Sequence, residues 1–255
     1  MPMRILVTFA IEAEFAPWRK LREFEKSAPG RDARSEGLSG FTTSIEGNRV
    51  QVLLTGMGSQ ACEESLAKYE LRRGEGPDLV ISSGLAGGLA PSLKPGDTIV
   101  PHVVRTLQND SSGMSDVIFL ERAIQAGGVR IDTLITSTEI VQTVQEKAKL
   151  AFFGEAVDME SAYVMAKCAR ASVPCLTIRS ISDTANEDLP LDFERVVTPT
   201  GTVKPLNLMG ELLERPSQLP KLIKFGKQSN QAAQKLISFL DSFVVTLPKF
   251  EVATQ

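Results

Sequence analysis

Histidine is almost missing from this sequence: His102 is the single one in 255 residues. A Ser-His-Asp or Cys-His relay is thereby excluded unless His102 is itself the base, and in VPHVV it has neither acid nor thiol beside it. Cysteine is scarce too. Cys62, Cys168 and Cys175 form no CxxC pair, and with one histidine they make no plausible metal set, so no metal is expected. They read as small buried hydrophobes in a reducing compartment. No apolar run approaches the roughly 18 residues that span a bilayer, and the N-terminal MPMRILVTFAIEAEF meets acid where a signal peptide would need its cleavage site. The expectation is a cytoplasmic protein with no membrane span. A basic excess is also lacking, since 28 Lys and Arg face 31 Asp and Glu for a net charge of −3, which gives no footprint for nucleic acid. No GxxxxGK[ST] occurs, which argues against an ATP-type phosphate cradle. These gaps leave carboxylates to do the chemistry, on a small molecule.

What is present is the composition of an ordinary globule, 42% hydrophobic and 23% charged. A chain of this length fits one α/β domain, 1–255. Apolar runs of strand length fall at Met3–Phe9, Phe41–Ile45, Arg49–Leu54, Asp78–Ser82, Asp97–Val104, Thr133–Ser137, Ala156–Val157 and Cys175–Ser180. Helical patterns lie between them at Glu12–Phe24, Ser59–Arg73, Val141–Phe152, Glu160–Ala171 and Gln218–Phe243. The alternation predicts a sheet covered by helices on both faces. The polar stretch Thr184–Pro216, with several Pro and Gly, reads as a loop or lid.

Two glycine clusters follow apolar strands. LLTGMGSQA (Leu53–Ala61) contains GxGxxA, but the dinucleotide fingerprint wants an acid closing the next strand, and Asp78 opens it instead. No dinucleotide cofactor is expected. The second, Ser82–Gly88 in DLVISSGLAGGLAP, offers glycines whose N–H groups a ligand can approach without Cβ obstruction, or else a tight turn.

The run VDMESAYVMAKCARASVPCLTIRSISD (Val157–Asp183) is the most informative. It sets Glu160 at the mouth of a helix and Asp183 just past a strand, so that one carboxylate can hold a sugar while the other donates a proton. Within that helix Ala162, Ala166, Ala169 and Val173 form a stripe that reads as core. Asp158 reads best as a helix cap and Glu12 as a surface acid. Arg179 and Asp183, about 13 Å apart along a strand, share a face without having to pair.

Taken in order, AIEAE, TGMG, SGLAGGLAP, KPGDTIVP, VDMES and RSISD resemble the nucleoside phosphorylase and nucleosidase superfamily, and within it the methylthioadenosine/adenosylhomocysteine nucleosidases. The resemblance runs from the first strand to about Ala185. It implies a three-layer α/β/α domain with a twisted mixed central sheet, usually a homodimer, that cleaves the N-glycosidic bond of a purine nucleoside and takes no cofactor. In it Asp183 matches the acid that protonates the departing base at N7, and such an acid works best in a water-poor pocket. Glu160 matches the ligand of the ribose 2′ and 3′ hydroxyls, with Met159 packed beneath the ribose. Glu14 matches the acid that activates the attacking water, and Thr55 a hydroxyl near that water. Ser82, Ser83, Ala86 and Gly87 fall in the purine and nucleophile loop, and Phe193 at the position of a lid aromatic.

Water or phosphate can be the nucleophile in this superfamily. The phosphorylases grip phosphate with arginines near the first loop and the second glycine loop, and TFAIEAE and ISSGLAGG contain none, which favours hydrolysis. Two departures point the other way. TSTEIVQ lacks the aromatic with which the nucleosidases stack on adenine, and the segment after Asp183, with NEDLPLDF and LLERPSQLPKL, is similar to hopanoid-associated phosphorylases. Arg195 resembles a phosphorylase arginine that assists the acid. The segment Val103–Met114 is the candidate for donation to a neighbouring subunit.

Overall fold

A computed structural model describes residues 2–27, 39–108, 112–190, 196, 198 and 216–247. Its strands are β1 (Arg4–Phe9), β2 (Glu25–Ser27), β3 (Ser39–Ile45), β4 (Asn48–Leu54), β5 (Leu79–Gly88), β6 (Thr98–Thr106), β7 (Ser112–Met114), β8 (Val129–Thr136), β9 (Ala156–Asp158) and β10 (Cys175–Asp183). The helices are α1 (Glu12–Leu21), α2 (Ser59–Lys68), α3 (Val117–Gln125), α4 (Val144–Leu150), α5 (Ser161–Arg170) and α6 (Leu219–Thr246).

One mixed sheet runs through the molecule. β1 lies parallel to both β4 and β5, β5 is parallel to β10, and β8 is parallel to β6 and β9. Antiparallel pairings of β10 with β6 and of β5 with β9 then join the two ends of that set. The pairings β5–β10–β6–β8–β9–β5 therefore close a ring, while β1, β4, β3 and β2 extend from it as an open sheet.

Alternation sorts the side chains into two cores. Ile5, Val7, Phe9, Leu79, Ile81, Leu176 and Ile178 pack with Phe15 and Trp18 of α1, Phe119 of α3 and Leu236, Leu240 and Phe243 of α6. The intervening Leu6, Val80, Cys175 and Ile181 face the other way, onto Cys62 and Leu66 of α2 and Val164, Met165 and Cys168 of α5. Helices cover both faces, as the alternation predicts.

Several boundaries differ from the sequence expectation, each for a local reason. Ser82–Gly88 is neither loop nor turn: it continues β5, paired with β10 on one side and β9 at its end. Gly84 is required there, because at its φ of 150° a Cβ would stand 2.2 Å from Arg179 Nη1. α4 starts at Val144 rather than Val141, since Thr143 caps it by accepting from Glu146 N at 3.2 Å. α3 carries a continuous apolar run, VIFL, that hides helical periodicity. Its start is marked all the same, with Asp116 accepting from Ile118 N and Phe119 N. In α5 the buried stripe is Ala162, Met165 and Cys168; Ala169 is exposed, because the bulkier side chains turn that face to the sheet.

Candidate active site

The carboxyl ends of β1, β5, β9 and β10 open on a cavity of about 440 Å³. Ligands of open α/β sheets bind at such strand ends. Glu14, Glu160 and Asp183 all line it, with Met159, Ala86 and Gly87.

Glu14 enters from the first turn of α1 and is buried. Its Oε2 accepts from the backbone N–H of Ala10 at 3.0 Å and of Ile11 at 3.4 Å, and Oε1 from Leu85 N–H at 2.8 Å. Burial pushes its carboxyl above the usual range, opposed by Arg179 and these three N–H groups. A buried carboxylate so held is oriented and more basic than a free one.

Glu160 stands at the N-cap of α5 yet does not cap that helix. It crosses to α2 instead, where Oε1 accepts from Gly58 N–H at 2.8 Å, and Gly58 adopts a φ of 85° that suits glycine. Burial first, then the neighbouring Asp158 and Glu14, raise its pKa to about 7, with Arg179 opposing. Asp158 does the capping, accepting from Ser161 N–H at 3.1 Å, and it also takes Thr136 Oγ1 at 2.7 Å and an ion pair with Arg179 at 2.7 Å.

Arg179 is the hub of this end. Only 1% exposed, it lies 3.8 Å from Glu160 Oε2 and donates to Ser83 O, Ser82 Oγ and Ser161 Oγ. It leaves Asp183 unpaired, as the strand geometry predicts. The two residues are separated by an irregularity in the β10 ladder between Ile181 and Asp183. Asp183 Oδ1 accepts from Ser182 Oγ at 2.6 Å, and Oδ2 is met by the ammonium of Lys147 at 2.5 Å. The expected water-poor setting is present, but it holds a cation that the sequence reading missed. VQEKAKL offers no signal that singles out Lys147.

Not every expected residue reaches the cavity. Thr55 Oγ1 is occupied with Phe9 O and Gly56 O, each at 3.2 Å, and is off the wall. Ser83 is also off it: its carbonyl binds Arg179, while its buried Oγ has no partner. Phe193 and Arg195 lie outside the described residues. His102 sits within β6, away from the cavity, and the three cysteines are free and buried. Burial drives the Cys62 thiol far up, the opposite of a nucleophile's tuning. Glu12 is a surface acid paired with Arg19.

TSTEIVQ does stand at the cavity, and one further part of the wall went unread. Glu139, Ile140 and Val141 of TSTEIVQ line it, and so does α6 through Phe225, Gly226, Ser229, Asn230 and Ala233. The last four stand at i, i+3, i+4 and i+7 and are small or short, a helical stripe visible in the sequence.

A model of the phosphorylase superfamily matches residues 4–208. The chain belongs to that superfamily. Among superfamily relatives, a 5′-methylthioadenosine/S-adenosylhomocysteine nucleosidase of Shewanella oneidensis is 32% identical over 190 residues, 65% of this chain and 80% of that protein. Among solved structures, the nucleosidase of the same name from Neisseria meningitidis, in complex with methylthio-immucillin-A, superposes with a TM-score of 0.69 at 22% identity. It covers 96% of this chain and all of that one. Futalosine hydrolase of Helicobacter pylori does so at 0.70 and 19%, over 96% and 98%. Those identities speak for the phosphorylase-superfamily fold. No helix among the described residues is long and apolar enough to cross a membrane, and no group of metal-binding side chains occurs among them.

Proposed function

We propose that this protein is a nucleosidase that cleaves the N-glycosidic bond of a purine nucleoside of the methylthioadenosine or adenosylhomocysteine type with water. The observation that carries the reading is that Glu14, Glu160 and Asp183, held by three separate elements, line one cavity. Breaking the C1′–N9 bond leaves positive charge on the sugar and sends the electron pair into the purine. Asp183 gives a proton to the base at N7, and water adds at C1′ while Glu14 takes its proton. The products are free purine and a free ribosyl sugar, so atoms and charge balance. Glu160 accepts from the 2′ and 3′ hydroxyls, with Met159 packed below the ring. The curated relatives named as methylthioadenosine/adenosylhomocysteine nucleosidases support the substrate class.

Phosphorolysis is the second reading, suggested by the likeness of the segment after Asp183 to hopanoid-associated phosphorylases. It is disfavoured because no described residue lining the cavity is basic, and phosphate needs positive charge or clustered N–H donors. A homodimer belongs to the proposal and is supported by apolar surface at Met114, Val117 and Ile118, exposed by 62%, 59% and 66% beside the β6–β7 edge. Work in the cytoplasm is supported by three free buried cysteines.

The test is incubation with methylthioadenosine, adenosine and inosine, with and without phosphate. Free sugar released regardless of phosphate is expected. A sugar 1-phosphate formed only with phosphate would overturn hydrolysis, and no base released from any of the three would overturn the enzyme reading.

A further inference from the structure

Lys147 is 1% exposed, and its ammonium makes three hydrogen bonds: to Asp183 Oδ2 at 2.5 Å, to Thr184 O at 2.8 Å and to Glu187 O at 2.7 Å. These use all three donors of a lysine. The same contact is made twice more by backbone. Val144 N–H donates to Asp188 Oδ1 at 2.7 Å, and Leu189 N–H donates to Gln142 O at 2.8 Å. The start of α4 and the turn after β10 are thus one unit, with Asp183 at its inner edge. Burying an ammonium costs several kcal/mol unless it is paired, so a lysine that served only to tie down two carbonyls would be an expensive choice.

We propose that Lys147 is a positioning residue for Asp183. It fixes the direction of the carboxyl, and it faces the negative charge that appears when Asp183 loses its proton. The inference rests on the nucleosidase reading. When the Asp183 O–H bond breaks and N7–H forms, a carboxylate is left in a dry site. An ammonium already in place stabilises that charge without reorganisation. The other polar neighbour of the carboxyl, Ser182 Oγ, is neutral, and the Glu187 carboxylate is turned outward to Lys224, so Lys147 is the only cation bonded to Asp183 among the described residues.

A double-mutant cycle tests this, with the purine nucleoside that the wild type turns over. Lys147→Met is expected to lower kcat about 10- to 100-fold, a part of the ~10²–10⁴ that a general acid supplies, with KM changed by less than about threefold. In the Asp183→Asn background the same change is expected to cost less than about twofold, because the charge it serves no longer forms. Lys147→Arg, which keeps a cation, is expected to retain more activity than Lys147→Met. Equal losses from Lys147→Met in both backgrounds, or a loss confined to KM, would overturn the proposal. Melting temperatures report folding. If Lys147→Met does not fold, the cycle is run with Lys147→Arg, and a loss that persists at full size in the Asp183→Asn background sinks the idea. A wild type that releases no base overturns the nucleosidase reading itself, and Lys147's role with it, which separates the two failures.

Discussion

The two ends of the cavity balance charge in different ways. At the end proposed for the sugar a single guanidinium, Arg179, stands among three carboxylates: it pairs with Asp158, lies 3.8 Å from Glu160 and bears on Glu14 electrostatically. At the end proposed for the base a single ammonium, Lys147, serves one carboxylate and two carbonyls. The first arrangement sets three carboxylates against one cation in a dry site; burial raises both Glu14 and Glu160, and for Glu160 the neighbouring Asp158 and Glu14 add to it. The second balances when Asp183 is ionised. In the N-glycoside cleavage proposed above positive charge develops on the ribose, and the under-neutralised acidic end is the one proposed to face it. The purine needs a proton, and once Asp183 has given one the ammonium of Lys147 meets the charge left behind.

The largest effect should come from removing the shared cation. Arg179→Met leaves buried carboxylates unpaired, a change that typically costs ~3–5 kcal/mol. For a chain of this size that corresponds to a melting temperature lower by roughly 6–20 °C, and calorimetry or circular dichroism would show it. An unchanged melting temperature would mean that the carboxylates take up protons at no cost and that the contrast between the ends is empty. Next come the carboxylates at either end of the reaction. Glu14→Gln and Asp183→Asn should each lower kcat by ~10²–10⁴ while a substrate analogue still binds. Loss of analogue binding along with turnover would move either residue from chemistry to recognition.

Glu160 gives the comparison a pH coordinate. With its pKa raised to about 7 from 4.5, the folded protein holds a proton that the unfolded chain releases. Its contribution to stability therefore falls as pH rises from about 4.5 to about 7, the reverse of a salt-bridged carboxylate. Ribose hydroxyls need the ionised form as acceptor, so affinity for a non-cleavable nucleoside analogue should weaken as pH drops below about 7. Glu160→Gln should flatten that part of the profile. Titration calorimetry between pH 5.5 and 8.5 measures both, and a wild-type profile as flat as the variant's would remove Glu160 from ribose binding.

Much of the cavity's acidic wall was legible because its residues are written in short contiguous motifs. VDMES carries Asp158, Met159 and Glu160, and RSISD carries Arg179 and Asp183, each fixed by a strand end. What was misread there was the conformation of SGLAGG, where a loop or tight turn was expected and a strand was found, with Gly87 still on the cavity wall. Close approach of Arg179 and Glu14 to Gly84 explains the composition equally well. The base end was much less legible. Lys147 sits on a seven-residue helix among other charged residues, and it is the contacts of Val144 with Asp188 and of Gln142 with Leu189 that hold that helix to the turn after β10. Long-range contacts of this kind, 36 residues apart for Lys147 and Asp183, leave no periodic trace. The α6 wall left one, in the spacing of Gly226, Ser229, Asn230 and Ala233, which a search for apolar stripes passes over.

The smallest predicted effect probes how far the base end depends on that short helix. Thr143 accepts from Glu146 N–H, and Glu146 Oε2 accepts in return from Gln142 N–H at 2.8 Å and Thr143 N–H at 2.9 Å. Removing the hydroxyl in Thr143→Ala should cost about 1 kcal/mol of stability, as for other helix caps. If α4 carries Lys147 to Asp183, the loss should register in kcat on the purine nucleoside more than in KM, and it should vanish in the Lys147→Met background. Arg179 bonds to Ser82, Ser83, Ser161 and Asp158 and to none of these groups, so the end proposed for the sugar should keep its analogue affinity. A Thr143→Ala variant that weakened analogue binding and left kcat intact would show that the two ends are not separate devices, because a change confined to α4 would have travelled to the ribose.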